Sequence, residues 1–350
     1  MVKKQSKFAE SCFSYILAVS ALTTLQETIM KKIAIIAFTV IVCVAAGVAG
    51  VFSGFHLTSL QIETLKVLGT ICGAAALYCF VVGEIARNNS QMDKLWSNLP
   101  IVYVWIIAGM GGWNIRLIVI AILVTLWGVR LTFNFARKGA YNIKFWAGEE
   151  DYRWAILRKK KPFDNKFVWG IFDLFFISIY QNFLVLLICL PAVAVMSSEA
   201  AFGVFDFVAA GLAVAFLLIE VVADEQQWAF QTKKHQMLKE GKTLEELPEP
   251  YSLGFNTVGL WGHMRHPNYL GEQGFWIAIY LFIVGAGVAT WGVSNWTIVG
   301  PALLVLLFLG SSTLAEAISG SKYPLYKEYC RSVPKYLFWK RYTPEAKDEE

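Results

Sequence analysis

IRLIVIAILVTLWGVRLTFNFA, residues 115–136, carries no charge between Leu117 and Val129. A helix rises about 1.5 Å per residue, so a run of this length crosses the roughly 30 Å of hydrocarbon in a bilayer. Hydrocarbon offers an unpaired peptide group no partner, which makes helix the only spanning form for such a segment. Toward its end the run carries Arg130 and Asn134, one helical turn apart on one face. Polar groups next to hydrocarbon are costly, so this pair marks a candidate functional position as well as a span.

Working outward, the same apolar texture recurs in blocks: 33–52, 66–86, 97–112, 167–196, 202–223, 270–290 and 296–318, the third opening at Pro100. The composition agrees, with 56% hydrophobic and 16% charged residues. A soluble domain carries about 25% charged residues. No Ser/Gly/Pro-rich linker divides the chain. Trp96, Trp113, Trp261 and Trp291 fall where interfacial aromatics are expected. The reading is an all-α, polytopic helical bundle of about eight spans.

Cationic residues set its orientation. Segments 1–32, 87–94, 137–166, 224–268 and 319–350 hold 28 of the 31 Lys and Arg, whereas 53–65, 197–201 and 291–295 hold none. Such an asymmetry predicts both termini on the cytoplasmic side. The net charge of +5 then reflects topology and attraction to anionic membrane lipid rather than nucleic acid. The basic run Arg158-Lys159-Lys160-Lys161 reads as an inside-retention and lipid-contacting patch.

Residues 30–47 resemble an ordinary bacterial N-terminus, beginning Met30-Lys31-Lys32. Residues 1–29 are then an appended extension or an interfacial amphipathic segment, and a cleaved signal peptide is a third reading. Cys12, Cys43, Cys72, Cys79, Cys189 and Cys330 show no CxxC spacing and read as small core residues, with no metal site. His56, His235 and His263 receive no role.

The costly polar groups all fall toward the cytoplasmic span ends, except Asp173, Gln181 and Asn182 in the middle of the fifth span. Glu84 and Asp93 flank Arg87-Asn88-Asn89-Ser90, and Glu220 and Asp224 share a face where the sixth span exits. Gln181 and Asn182 suit helix–helix hydrogen bonding. The segment Gly259 to Glu272, GLWGHMRHPNYLGE, gathers Arg265, His266, Asn268, Tyr269 and Glu272 around Pro267, which can start a helix. A helix N-terminus beside Arg265 suits an anion such as a phosphate-bearing cofactor. No GxGxxG or P-loop is present.

At Arg265-His266-Pro267-Asn268-Tyr269-x-Gly271-Glu272 the chain resembles the steroid 5-alpha-reductase family, and is distantly similar to isoprenylcysteine carboxyl methyltransferases. The resemblance runs from about Asn88 to Pro334. It includes Asn88-x-Ser90-x-x-Asp93-x-x-Trp96, Trp127-x-x-Arg130-Leu131-x-x-Asn134, Glu150-Asp151-Tyr152-Arg153-Trp154, Glu220-x-x-Ala223-Asp224, Glu316 and Tyr323-Pro324-x-Tyr326-x-x-Tyr329. It divides the chain into an uncertain extension (1–29), a transmembrane domain (30–335) and a charged cytoplasmic tail (336–350).

The resemblance implies an NADPH-dependent enzyme reducing a carbon–carbon double bond conjugated to a carbonyl in a steroid- or isoprenoid-like lipid. It implies that Arg130, Asn134, Glu220, Asp224, Arg265, His266, Asn268, Tyr269, Glu272, Glu316 and Tyr323 bind cofactor. Asp93 would be the buried acid that stabilises developing enolate charge, and Trp96 and Trp127 would meet substrate. Trp127 stands where the steroid enzymes have Tyr, and Glu220 where they have Asn. Indole donates one N–H but cannot shuttle a proton, which bears against a steroid substrate more than against the cofactor. The cavity is expected to be lipidic, lined by Phe175, Phe176, Phe275 and Trp276. Two other functions share parts of the pattern: an S-adenosylmethionine-dependent lipid or isoprenylcysteine methyltransferase, and a non-catalytic lipid-binding protein. The expected location is a bacterial inner membrane or the endoplasmic reticulum, with the site open to the cytoplasm. A monomer is compatible with the sequence, which does not set the oligomeric state.

Overall fold

The computed structural model describes residues 56–290, 293–339 and 342. The chain divides into two compact units, Met1–His56 and Leu57–Glu350, and the following concerns the second. The expected span 33–52, the extension 1–29, Cys12, Cys43, Trp291 and residues 340, 341 and 343–350 of the tail lie outside the described residues.

Among the described residues the fold is all-helical, with one isolated Thr290–Ser294 bridge and no strand. Five of the described helices are long and apolar enough to cross a membrane: α1 (Ser59–Ala86), α3 (Ile115–Ala136), α5 (Lys166–Val195), α6 (Val204–Lys239) and Trp296–Lys322, whose α-helical part is α8 (Val299–Lys322). The chain is a multi-pass membrane protein. Helices α2 (Gln91–Met110) and α7 (Pro267–Gly285) occupy the expected third and seventh spans but are not among those five. Two short helices, α4 (Tyr152–Leu157) and α9 (Tyr326–Ser332), lie outside these longer ones.

Helix α5 is the hub. From Gln181 to Val195 every side chain but Phe183 is buried, and it touches α1, α2, α7 and α8. A helix apolar on all sides belongs in an interior. Its middle widens into a π-helical stretch, Asp173–Tyr180. There Ser178 Oγ donates to Asp173 Oδ1 (3.2 Å), and Asn182 Nδ2 donates to Ser178 O (2.8 Å) and reaches Cys79 Sγ on α1 (3.5 Å). Asp173 and Asn182 thus serve a local widening and one contact between helices.

Two expected boundaries move. Helix α2 begins at Gln91, leaving Pro100 inside it. The extra turns hold because loop 137–151 satisfies their polar groups: Lys94 Nζ donates to Phe145 O (3.0 Å) and Ala147 O (2.7 Å), and Gln91 Nε2 to Trp146 O (3.0 Å). Helix α6 continues to Lys239, its later turns burying Phe230, Lys234 and Met237. Pro267 does open α7 as its first residue. Phe175, expected in a cavity, is instead 60% exposed on the outer surface, whereas Phe275 and Trp276 are fully buried.

Helices α6 and α7 make the most extensive helix contact, and glycine makes it possible. A Cβ on Gly271 would lie 2.4 Å from Glu220 Cγ, and one on Gly274 2.3 Å from Phe216 Cδ1. Small residues at an interface let backbones approach where lipid supplies no hydrophobic drive.

Candidate active site

The spacing on α3 and α6 brings their polar faces together in register. Arg130 forks between two carboxylates one turn apart: Nη2 to Glu220 Oε1 at 2.7 Å and Nη1 to Asp224 Oδ2 at 2.5 Å. A turn further, Asn134 Nδ2 donates to the same Asp224 oxygen (2.8 Å). Arg137 Nε donates to Asn134 Oδ1 (2.9 Å), its Nη1 pairs with Glu225 (2.5 Å), and its guanidinium lies 4.6 Å from the Trp228 ring centroid. The contacts climb both helices in step.

Helix α7 adds Glu272, whose Oε1 accepts from Trp96 Nε1 on α2 (3.0 Å). Glu272 stands close enough to Arg130, Glu220 and Asp224 to feel their charges. Three carboxyl groups therefore surround one guanidinium. Several buried atoms here have no partner among the described residues: the donor Arg130 Nε and the acceptors Glu220 Oε2 and Asn268 Oδ1. One turn from Arg130 along α3, and one turn from Glu272 along α7, lie Trp127 and Trp276, both fully buried. Their rings meet edge to face at 5.0 Å, Trp127 stacks on Phe275 at 5.9 Å, and neither indole N–H has an acceptor among the described residues.

Asp93, in the first turn of α2, accepts from Trp154 Nε1 at 3.0 Å. Trp154 comes from α4, in a loop lashed over the start of α2. Asn88 Nδ2 donates to Gly148 O (3.0 Å), Asn89 N to Glu150 Oε1 (2.8 Å), and Asp151 N to Ser90 Oγ (2.9 Å). Burial raises the Glu150 carboxyl above its usual range despite the Asn89 amide and the Arg158 charge. Asp151 behaves oppositely. Burial works to raise it, but the Arg153 guanidinium, paired with it at 2.7 Å, more than offsets that and holds it low. Arg153 is also close enough to Tyr269 on α7 to act on it electrostatically. The Lys138 ammonium, past the end of α3, donates no hydrogen bond among the described residues, and desolvation lowers it below the usual range.

The remaining sequence-predicted residues have other partners. Arg265 Nε and His266 Nε2 both meet Glu316 Oε1, at 2.8 and 2.9 Å, and Lys335 Nζ meets its other oxygen at 3.5 Å. Arg265 Nη1 also donates to the carbonyls of Cys330 (2.8 Å) and Val333. With Arg265 N to Pro334 O (3.0 Å) and His266 N to Lys335 O (3.1 Å), this arrangement clamps the C-terminal segment to the start of α7. Burial lowers the His266 imidazole, against the pull of Glu316. Tyr269 stacks on His266 at 5.1 Å. Tyr323 lies in a separate aromatic cluster with Phe255, over Lys234 Nζ at 5.5 Å.

Sequence reasoning missed two partnerships. Trp154 lay in a recognised stretch, yet nothing local tied it to Asp93. Arg116 and Asp206, at the opposite end of α3 and α6, form a fully buried pair at 2.7 Å. The signal was available: each is the lone charge near the start of its span, on the side poor in cations.

The model of the family described as "Protein of unknown function (DUF1295)" matches residues 79–333. The "Uncharacterized protein C594.04c" of Schizosaccharomyces pombe is 36% identical over 278 residues, covering 75% of this chain and 78% of the relative. No solved structure matches the chain.

Proposed function

The chain belongs to the DUF1295 family, and from that premise we propose that it is a membrane reductase using NADPH to saturate a carbon–carbon double bond conjugated to a carbonyl in a lipidic substrate. The observation that supports this most is the set of unpartnered buried atoms where α3, α6 and α7 meet. A nicotinamide nucleotide is rich in neutral donors, the carboxamide and the ribose hydroxyls, which suit the free acceptors Glu220 Oε2 and Asn268 Oδ1. Arg130 Nε is free to donate. Lys138, at the rim, supplies charge for a phosphate. Bound NADPH supplies a hydride.

The chain's own groups do the rest. Trp127 Nε1 and Trp276 Nε1 are N–H donors for a carbonyl oxygen, which gains charge as reduction proceeds. Asp93, which accepts from Trp154, is the acid of this reading. The buried Phe275 ring beside Trp127 keeps water away from this end. The topology that goes with this reading is eight spans with both termini cytoplasmic. It rests on the cation asymmetry, and it opens the Arg130 end to the cytoplasm.

One observation favours a second reading. Three carboxyl groups to one guanidinium is an electronegative arrangement, suited to the cationic sulfonium of S-adenosylmethionine in a lipid methyltransferase. Incubating the purified protein with a lipid extract and either cofactor, followed by mass spectrometry of the lipids, separates the two. The reductase reading expects a lipid that gains two hydrogens only with NADPH. Gain of a methyl group, or no change with either, overturns it.

A further inference from the structure

We propose that the groove between α8 and α9 binds the headgroup of an anionic phospholipid, at a site separate from the reductase reading and independent of it. The groove has a volume of about 530 Å³ and is lined by Glu316, Ala317, Gly320 and Ser321 of α8 and by Tyr326, Lys327, Cys330 and Arg331 of α9. Its wall is mostly apolar. Glu316, the one carboxylate, is occupied by Arg265, His266 and Lys335. Lys327 and Arg331, four residues apart and so on one face of α9, are exposed, and their side chains have no hydrogen bond or ion pair among the described residues. Two free cations over an apolar trough match a phosphate diester with acyl chains attached better than a free anion.

The segment that follows α9 agrees. Tyr336 Oη donates to Phe308 O (3.3 Å), which lays the C-terminal segment along α8. That segment exposes Leu337, Phe338 and Trp339, at 72%, 63% and 66%. Exposed aromatic and aliphatic side chains next to basic residues are what a chain presents at the level of lipid headgroups. Basic pockets between spans recur as anionic-lipid sites.

The test is native mass spectrometry of the full chain in detergent, titrated with phosphatidylglycerol, phosphatidylcholine or inorganic phosphate. Phosphatidylglycerol should bind and phosphatidylcholine should not. At about 1 kcal/mol per interfacial cation, Lys327→Ala with Arg331→Ala should weaken binding about thirtyfold. Gly320→Leu should also abolish it while both cations remain. A Cβ there has only Tyr326 Cδ1 near, at 3.9 Å, so the side chain fills the groove without straining the helix. Unchanged unfolding midpoints confirm that both variants stay folded. Equal binding of phosphatidylcholine, displacement by inorganic phosphate, or wild-type binding by either variant overturns the proposal.

Discussion

Arg130 of α3 and Asp224 of α6, 94 residues apart in sequence, meet at 2.5 Å, and Asn134 one turn along donates to the same carboxylate oxygen. The pairing locks two parallel helix faces in register at the level where polar chemistry replaces lipid. Its value lies less in net stability than in specificity, because a buried ion pair barely repays the desolvation of its charges, while removing one partner strands the other.

Arg130→Ala should therefore destabilise strongly, by about 3–5 kcal/mol, since Glu220 and Asp224 lose their shared cation. Thermal unfolding in detergent measures this. Adding Glu220→Gln and Asp224→Asn to the Arg130→Ala background should recover part of the loss. A single variant as stable as wild type would show that the pair carries no such role.

The α6–α7 contact predicts a sharp contrast between glycines. Gly271→Ala places a methyl group 2.4 Å from Glu220 Cγ and 2.9 Å from Phe216 O. Overpacking of this kind costs about 1–3 kcal/mol. Gly211 lies on α6 with nothing within 4 Å of a Cβ, so Gly211→Ala should leave the unfolding midpoint unchanged or raise it slightly. Equal effects at the two positions would contradict the close packing.

Trp154 should act through Asp93. Trp154→Phe keeps the ring and removes the N–H donated to Asp93. On the reductase reading, Asp93→Asn lowers kcat about a hundredfold or more, the usual worth of a positioned acid. Trp154→Phe should lower kcat less, with KM for NADPH unchanged and the alkaline limb of the pH profile, where the Asp93 acid loses its proton, displaced. A change confined to KM would place Trp154 in binding instead.

The clamp at the start of α7 predicts a pH dependence. His266 is held below its usual value by burial, so around pH 6.5 an unfolded chain takes up a proton that the folded one refuses. The stabilisation is complete above the unfolded value and is lost as the pH falls toward the folded one. Between pH 8 and 5 the unfolding midpoint should drop, and His266→Gln should flatten the slope over that window. An unchanged slope would mean the imidazole does not contribute.

Much of this was legible in the sequence. Apolar runs located the helices, and the 3–4 spacing of Arg130 with Asn134 and of Glu220 with Asp224 foretold two polar faces, though not that they would face each other. Boundaries shifted where polar residues found partners far along the chain. Lys94 and Gln91 extend α2 by donating to carbonyls some 50 residues away, which no local pattern encodes. The signature around Arg265 announced an anion site from composition. Its Arg and His instead meet Glu316 and the C-terminal carbonyls, because a helix start, a distant glutamate and the chain end converge there. Long-range pairings of this kind, Trp154 with Asp93 among them, are set by tertiary structure alone, whereas the lone charges of Arg116 and Asp206 near the starts of their spans did signal their pairing.

The most direct test of the cofactor reading is titration of the purified full-length protein with NADPH and, separately, with S-adenosylmethionine, following tryptophan fluorescence. The account predicts saturable quenching by NADPH, weakened by Lys138→Ala, and no response to S-adenosylmethionine. Saturation by S-adenosylmethionine alone, or silence with both, would contradict it.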